Sequence, residues 1–232
     1  MKKTFFALAA ASLFTVGAVS QAQAATQTLT FSQNRAAGPT NWNDVLGLGM
    51  FDTNLGTLTS IRFDLTGLVR GTGSAENLDA GASDVTLTLA STLTLYRPDA
   101  STLVVSNPLF NRQLALGAFD GAIDFAGASG GSTGPRTSTA QNDFTSSSAS
   151  DFALFSAAGG GLINLGLGAV GASTASGSGN LVTQFQTEAA GHVRVTYEYV
   201  SAVPEPETYV MLLTGLALAG VMARRKSAKA RA

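Results

Sequence analysis

Few residues of this 232-residue chain are of types that do chemistry, and they fall in four places. His192 is the single histidine, and cysteine is absent. A Ser–His–Asp relay is formally available because serine is abundant, yet no Gly-x-Ser-x-Gly elbow accompanies it. His192 follows Gly191 at the head of an alternating run, which predicts a surface residue at a strand end. One His and no Cys leave no usual ligand set for a transition metal. Asp120 and Asp124 flank a glycine turn in Phe119-Asp120-Gly121-Ala122-Ile123-Asp124-Phe125. Two such carboxylates could contribute to a Ca²⁺ site, but the Asp-x-Asp-x-Asp-Gly order is missing. The expected roles are a turn cap for Asp120 and a solvated or backbone-bonded Asp124. Glycoside hydrolysis would need an acid pair across a cleft, which spacing alone does not define. Trp42, in the expected loop Pro39-Thr40-Asn41-Trp42-Asn43-Asp44, offers an indole face to a sugar ring, or anchors that loop. The fourth place is Val203-Pro204-Glu205-Pro206, where two prolines fix φ and withhold N–H donors, so Glu205 projects from an extended, readable backbone.

The residues C-terminal to that motif suggest a reader in the membrane. Tyr209–Ala223 is apolar, and Arg224-Arg225-Lys226 closes it. As a helix the run reaches roughly 22 Å against a hydrocarbon core of about 30 Å, a short transmembrane span. Arg224 and Arg225 extend it only by snorkelling. The basic cluster stays cytoplasmic and stops transfer, which leaves Pro204-Glu205-Pro206 and everything before it outside. A short span of this kind suits a temporary anchor for processing, and a permanent single-pass tail is the other reading.

The opposite end carries an export signal. Lys2 and Lys3 precede an apolar stretch from Phe5 to Val19, and Ala22-Gln23-Ala24 supplies the small-x-small pattern that a signal peptidase cleaves after. With residues 1–24 removed, the order Pro-Glu-Pro, apolar run, basic stop resembles the PEP-CTERM sorting signal of Gram-negative bacteria. The resemblance implies processing by an exosortase, a polytopic membrane cysteine enzyme. It also implies a precursor held transiently in the inner membrane and a product at the cell surface or outside, in bacteria that make exopolysaccharide.

The segment between the ends, residues 25–202, is long enough for one sizeable core. All four lysines lie in the targeting ends, and the middle sets seven arginines against thirteen acids, a net charge of 7 − 13 = −6. An acidic, lysine-free domain is a poor match for phosphate backbones, so no nucleic-acid partner is expected. Without cysteine there are no disulfides, and stability rests on core burial and sheet hydrogen bonds. No cofactor is expected.

The elements that must position these residues read as strands. Thr28–Phe31, Leu58–Leu65, Val85–Leu89, Thr92–Tyr96 and His192–Tyr199 alternate with a period of two. In the second run Ile61, Phe63 and Leu65 share a face while Leu58 falls out of phase. Ala90-Ser91 interrupts the next pair, as a bulge or as one long strand crossing between sheets. Asp79-Ala80-Gly81, Asp120-Gly121, Gly130-Gly131 and Ser178-Gly179-Asn180 supply turn chemistry. Ala128 to Asp151 reads as loop, and Ala157 to Asn180 as one short strand within flexible chain. No helical period occurs in residues 25–202. The expected fold is all-β, an antiparallel β-sandwich of about eight to ten strands, jelly-roll-like, with a barrel as the alternative.

Phe51–Leu58, Glu76–Asp79 and Leu116–Gly127 together resemble the choice-of-anchor E domain, bacterial surface domains that occur with different C-terminal anchoring signals. The resemblance implies an anchored extracytoplasmic domain with no catalytic residues to transfer. The expectation is therefore a non-catalytic exported protein associated with exopolysaccharide and biofilm. A carbohydrate-binding module is the alternative and a polysaccharide hydrolase the remote one.

Overall fold

The computed structural model describes residues 26–177, 179–201 and 212–216. Thirteen strand segments occupy most of the described residues. They are β1 (Thr26–Pro39), β2 (Trp42–Gly49), β3 (Phe51–Asp52), β4 (Gly56–Asn77), β5 (Ser83–Tyr96), β6 (Thr102–Ser106) and β7 (Leu109–Leu116). After these come β8 (Gly130–Ser132), β9 (Arg136–Ser146), helix α1 (Ala149–Phe155), β10 (Ser156–Ala157), β11 (Leu162–Gly171), β12 (Thr174–Gly177) and β13 (Leu181–Ser201).

The strands form two antiparallel sheets. In the first the order is β1-β13-β4, with β8 and β9 sharing the far edge of β4. In the second β2, β11 and β5 lie side by side. β12 continues the β11 side of β5, and β6 and β7 divide its opposite side. The one parallel pairing among the described residues joins β10 to β3 over two residues. The inward rows of both sheets meet in a common core: Ile61, Phe63, Leu65, Val193, Val195 and Tyr197 from one, Leu48, Leu93, Leu95, Leu165 and Leu167 from the other. A smaller cluster of Ala75, Val85, Leu87 and Leu116 closes one end. At about 25 cal/mol per Å² of apolar surface, such interleaved rows are the dominant stabilising term in a chain without disulfides.

Alternation decided most of this. β5 is one continuous strand whose burial alternates without a break through Ala90 and Ser91, so the interruption read there is a long strand and not a bulge. The phase error at Leu58 does have a bulge behind it. The β4–β13 register slips between Glu198 and Tyr199, opposite Thr59, and the extra residue turns both Leu58 and Ile61 inward. Four expectations are corrected, the first being that 157–180 is one short strand in flexible chain, since it holds the end of β10, all of the ten-residue β11, and β12. The stretch 128–151 is not loop, because it forms β8, β9 and the start of α1. Gly130-Gly131 pairs with β4 as strand instead of turning the chain. A helix is present after all: α1 runs for seven residues, capped by the Ser148 hydroxyl, which accepts from the Asp151 N–H at 3.2 Å.

Candidate functional site

Trp42 sits at the first residue of β2 and not inside a loop; the reversal is confined to the residues before it, where Asn41 takes a positive φ of 70°. Its ring is half-buried against the core. Arg35 lies over it with the guanidinium carbon 4.1 Å from the ring centre, while Arg35 Nε donates to Asp44 Oδ2 at 2.8 Å. One ring face is thus covered by a cation, and the indole Nε1 is buried without an acceptor.

His192 is not at a strand end. It lies within β13, opposite Asn34 of β1, and its Nδ1 pairs with the Asn34 side-chain oxygen. Among the described residues no serine hydroxyl or carboxylate is hydrogen-bonded to the imidazole, so the elements of a relay are not assembled around it.

Asp120 and Asp124 occupy one loop between β7 and β8, and each is committed to its own turn. Ala122 N–H donates to Asp120 Oδ1 at 3.2 Å, and Ala126 N–H to Asp124 Oδ1 at 2.9 Å. The Ala122 amide, helped by the Ser129 hydroxyl, holds the Asp120 carboxyl below its usual range. No group of three or more potential metal-ligating side chains occurs among the described residues. Beneath this loop lies a carboxylate that sequence reasoning passed over. Glu76 is fully buried, its Oε2 accepts from the Phe125 N–H at 2.6 Å, and its Oε1 has no partner. Phe125 is held at a φ of 58°, a conformation uncommon outside glycine, so Glu76 pins a strained point of the loop.

A second feature had no sequence signal. An open groove of about 640 Å³ crosses the first sheet where β4, β13 and β9 meet, and Arg70, Arg136, Thr72, Thr137, Gln186 and Thr187 help to line it. Arg70 Nε is bonded to Glu188 Oε2 at 2.6 Å at its rim. Gly71 forms part of the lining: a Cβ there would meet the Gln186 carbonyl at 2.0 Å, so only glycine fits. Another arginine, Arg97, is occupied structurally. It grips Asp151 with Nε–Oδ1 at 2.8 Å and Nη2–Oδ2 at 3.0 Å, and this pairing lowers the Asp151 pKa and raises that of Arg97.

The sorting residues Val203, Pro204, Glu205 and Pro206, the stop-transfer residues Arg224, Arg225 and Lys226, and the cleavage residues Ala22 and Ala24 lie outside the described residues. Of the expected span 209–223, residues 212–216 are described and are helical, with Leu212, Leu213 and Leu216 exposed. Among the described residues no helix is long and apolar enough to cross a membrane.

Comparison with known proteins adds one informative match. No curated protein matches the chain. Among solved structures it is similar to that of the infectious bursal disease virus Gx strain, at 12% identity over 82% of this chain and 48% of that one, with a TM-score of 0.19. It is also similar to the Gt strain structure, at 15% identity over 90% and 54%, with a TM-score of 0.13. The chain spans about half the length of these structures, and at such scores the likeness carries no argument. The informative match is at the C-terminus, where residues 202–226 fit the family described as the PEP-CTERM protein-sorting motif.

Proposed function

We propose that this is a non-catalytic protein of the cell surface or extracellular matrix, exported behind a signal peptide of residues 1–24 and sorted by an exosortase that reads Pro204-Glu205-Pro206. The observation that carries the reading is the sorting-motif match over residues 202–226. In it, residues 209–223 hold the precursor in the inner membrane, Arg224, Arg225 and Lys226 fix its orientation, and residues 25–202 are the delivered cargo, of choice-of-anchor E type. The pairing order supports a jelly-roll-like sandwich for that cargo. β1-β13-β4-β9 in one sheet and β2-β11-β5 flanked by β6 and β7 in the other nest the chain from its ends inward, as two Greek keys do.

Deleting the host's exosortase should leave a full-length, membrane-retained precursor. Pro204→Ala combined with Glu205→Ala should give the same precursor in an otherwise normal strain, with export and insertion intact. Mass spectrometry of the mature C-terminus checks both, and a product still ending at Ala232 in the wild-type strain would make the tail a plain anchor and sink the processing claim.

Association with exopolysaccharide is the second part of the proposal, and the polar groove over β4, β9 and β13 favours it over an inert domain. A hydrolase built on Asp120 and Asp124 draws less support, since each carboxylate already serves a turn.

A further inference from the structure

Two arginines from different sheets converge on one carbonyl. Arg112 of β7 donates from Nη1 to Thr133 O at 3.0 Å, and Arg136 of β9 donates from Nε to the same oxygen at 3.0 Å. The two donor nitrogens therefore lie within 6 Å of each other, by the sum of those distances. The acceptor is rigid. Thr133 is fully buried, its N–H donates to the Gly73 carbonyl, and its hydroxyl accepts from the Gly73 N–H at 3.0 Å. Arg136 is further fixed over the Phe110 ring, 5.4 Å from its centre.

Charge makes this arrangement unusual for the molecule. Arg35, Arg62, Arg70 and Arg97 each carry an acidic partner, whereas Arg112, Arg136 and Arg194 have no ion pair among the described residues, and of these Arg112 and Arg136 share one acceptor. In a domain with thirteen acids to seven arginines, two like charges are held together without an ion pair among the described residues, and the carboxylate that lines the groove, Glu188, is taken by Arg70. A single carbonyl accepts one donor from each guanidinium, and both side chains are exposed, with planar forks left to present to an anion. Arg136 also lines the groove, whose other walls offer the hydroxyls of Thr72, Thr137 and Thr187 and the amide of Gln186. Hydroxyl and amide groups beside a cation pair complement a ligand that is rich in hydroxyls and carries carboxylates.

We propose that Arg112 and Arg136, with the adjoining groove, bind the carboxylates of an acidic polysaccharide, a uronate chain, and that this is the surface through which the domain holds exopolysaccharide. The inference rests on the polysaccharide part of the proposed function. Each carboxylate takes charge-assisted hydrogen bonds from the two guanidinia, and the sugar hydroxyls exchange donors and acceptors along the threonine-lined wall.

The test is binding of the full-length chain in detergent to galacturonate oligomers by calorimetry, with methyl-esterified oligomers and neutral dextran as controls. Binding is expected for the free-acid oligomer alone, weakening as salt is raised. Arg112→Gln and Arg136→Gln should each weaken it by roughly tenfold, the loss of one hydrogen bond to a charged group. Trp42→Ala should leave it unchanged. Free galacturonate monomer distinguishes a carboxylate pocket from recognition of the chain, since only a groove-bound chain gains affinity with length. Equal binding of the esterified oligomer, no binding at all, or full binding by a folded Arg112→Gln/Arg136→Gln double variant overturns the proposal. Circular dichroism melting confirms that the variants are folded. If the host's own exopolysaccharide binds wild type and double variant alike, the polysaccharide reading stands and this surface falls.

Discussion

Gly67 and Gly191 stand directly opposite one another at the centre of the first sheet, and Leu93 reaches across from the second sheet into the shallow that they leave. A Cβ on Gly67 would come within 2.8 Å of Leu93 Cδ1, and one on Gly191 within 2.8 Å of Leu167 Cδ2. The two sheets approach this closely because neither glycine has a side chain. Gly191→Ala should therefore destabilise the domain by roughly 1–3 kcal/mol through overpacking, read as a shifted urea midpoint at unchanged slope. Gly81→Ala, with open space around its Cβ, should change little.

The Arg97–Asp151 pair ties the end of β5 to the first turn of α1, and Ser146 Oγ adds a 2.6 Å hydrogen bond to the same carboxylate. Only 7% of the Asp151 side chain is accessible, so removing it strands a partly buried guanidinium. Asp151→Ala should cost about 2–3 kcal/mol, below the range for a fully buried pair because Arg97 retains some exposure. The pH dependence comes from the lowered Asp151 pKa, whose largest cause is the hydrogen bond to Arg97. The stabilisation is complete above the ordinary aspartate value, roughly 3.9, and is lost as pH falls through the lower folded value. Thermal melting from pH 7 to pH 2 should show an acid-side loss that is smaller in Asp151→Ala.

Tyr197 joins the two sheets by a polar contact inside the core. Its hydroxyl donates to the Gly49 carbonyl at 2.8 Å, and burial pushes the phenol pKa well up. Tyr197→Phe keeps the ring contacts with Phe31 and Phe51 but leaves that carbonyl unpaired. A loss of about 1–2 kcal/mol is expected, with the largest rise in amide exchange near the end of β2.

For the tail, the proposed stop-transfer role of Arg224, Arg225 and Lys226 is tested by changing all three to Ala. Some chain should then pass through the membrane unprocessed, appearing outside the cell at full precursor length. Fractionation with mass spectrometry checks this, and normal processing of the triple variant would show that the basic cluster is not the stop.

Legibility tracked burial. The strands that line the core announced themselves, because Val193, Val195 and Tyr197, or Ile61, Phe63 and Leu65, must alternate to face inward. β9 did not. Arg136–Ser146 is largely Thr, Ser, Asn, Gln and Asp, almost wholly exposed, and it becomes a strand only because β4 offers an unpaired edge. Helix α1 is too short to show a period, although Ser148 and Asp151 carry the Ser-x-x-Asp signature of a capped start. The candidate sites divide in the same way. The tail is a contiguous word, readable without any fold. Arg112 and Arg136 lie on different sheets and meet only through Thr133, and buried Glu76 touches Phe125 only after the loop closes over it.

The place of β13 has a consequence for timing. It is the last of the described strands to be synthesised, yet it lies between β1 and β4 and supplies the partner for both. The first sheet has no middle until Ser201 has left the translocation channel, and the matched motif starts at the very next residue. β1 must wait, unpaired, through more than a hundred residues of synthesis, a non-local closure that forms late. In a chain exported from its N-terminus, β1 and β4 therefore lack their shared partner until the sorting motif is about to follow, so completion of the first sheet and emergence of the address fall together in time.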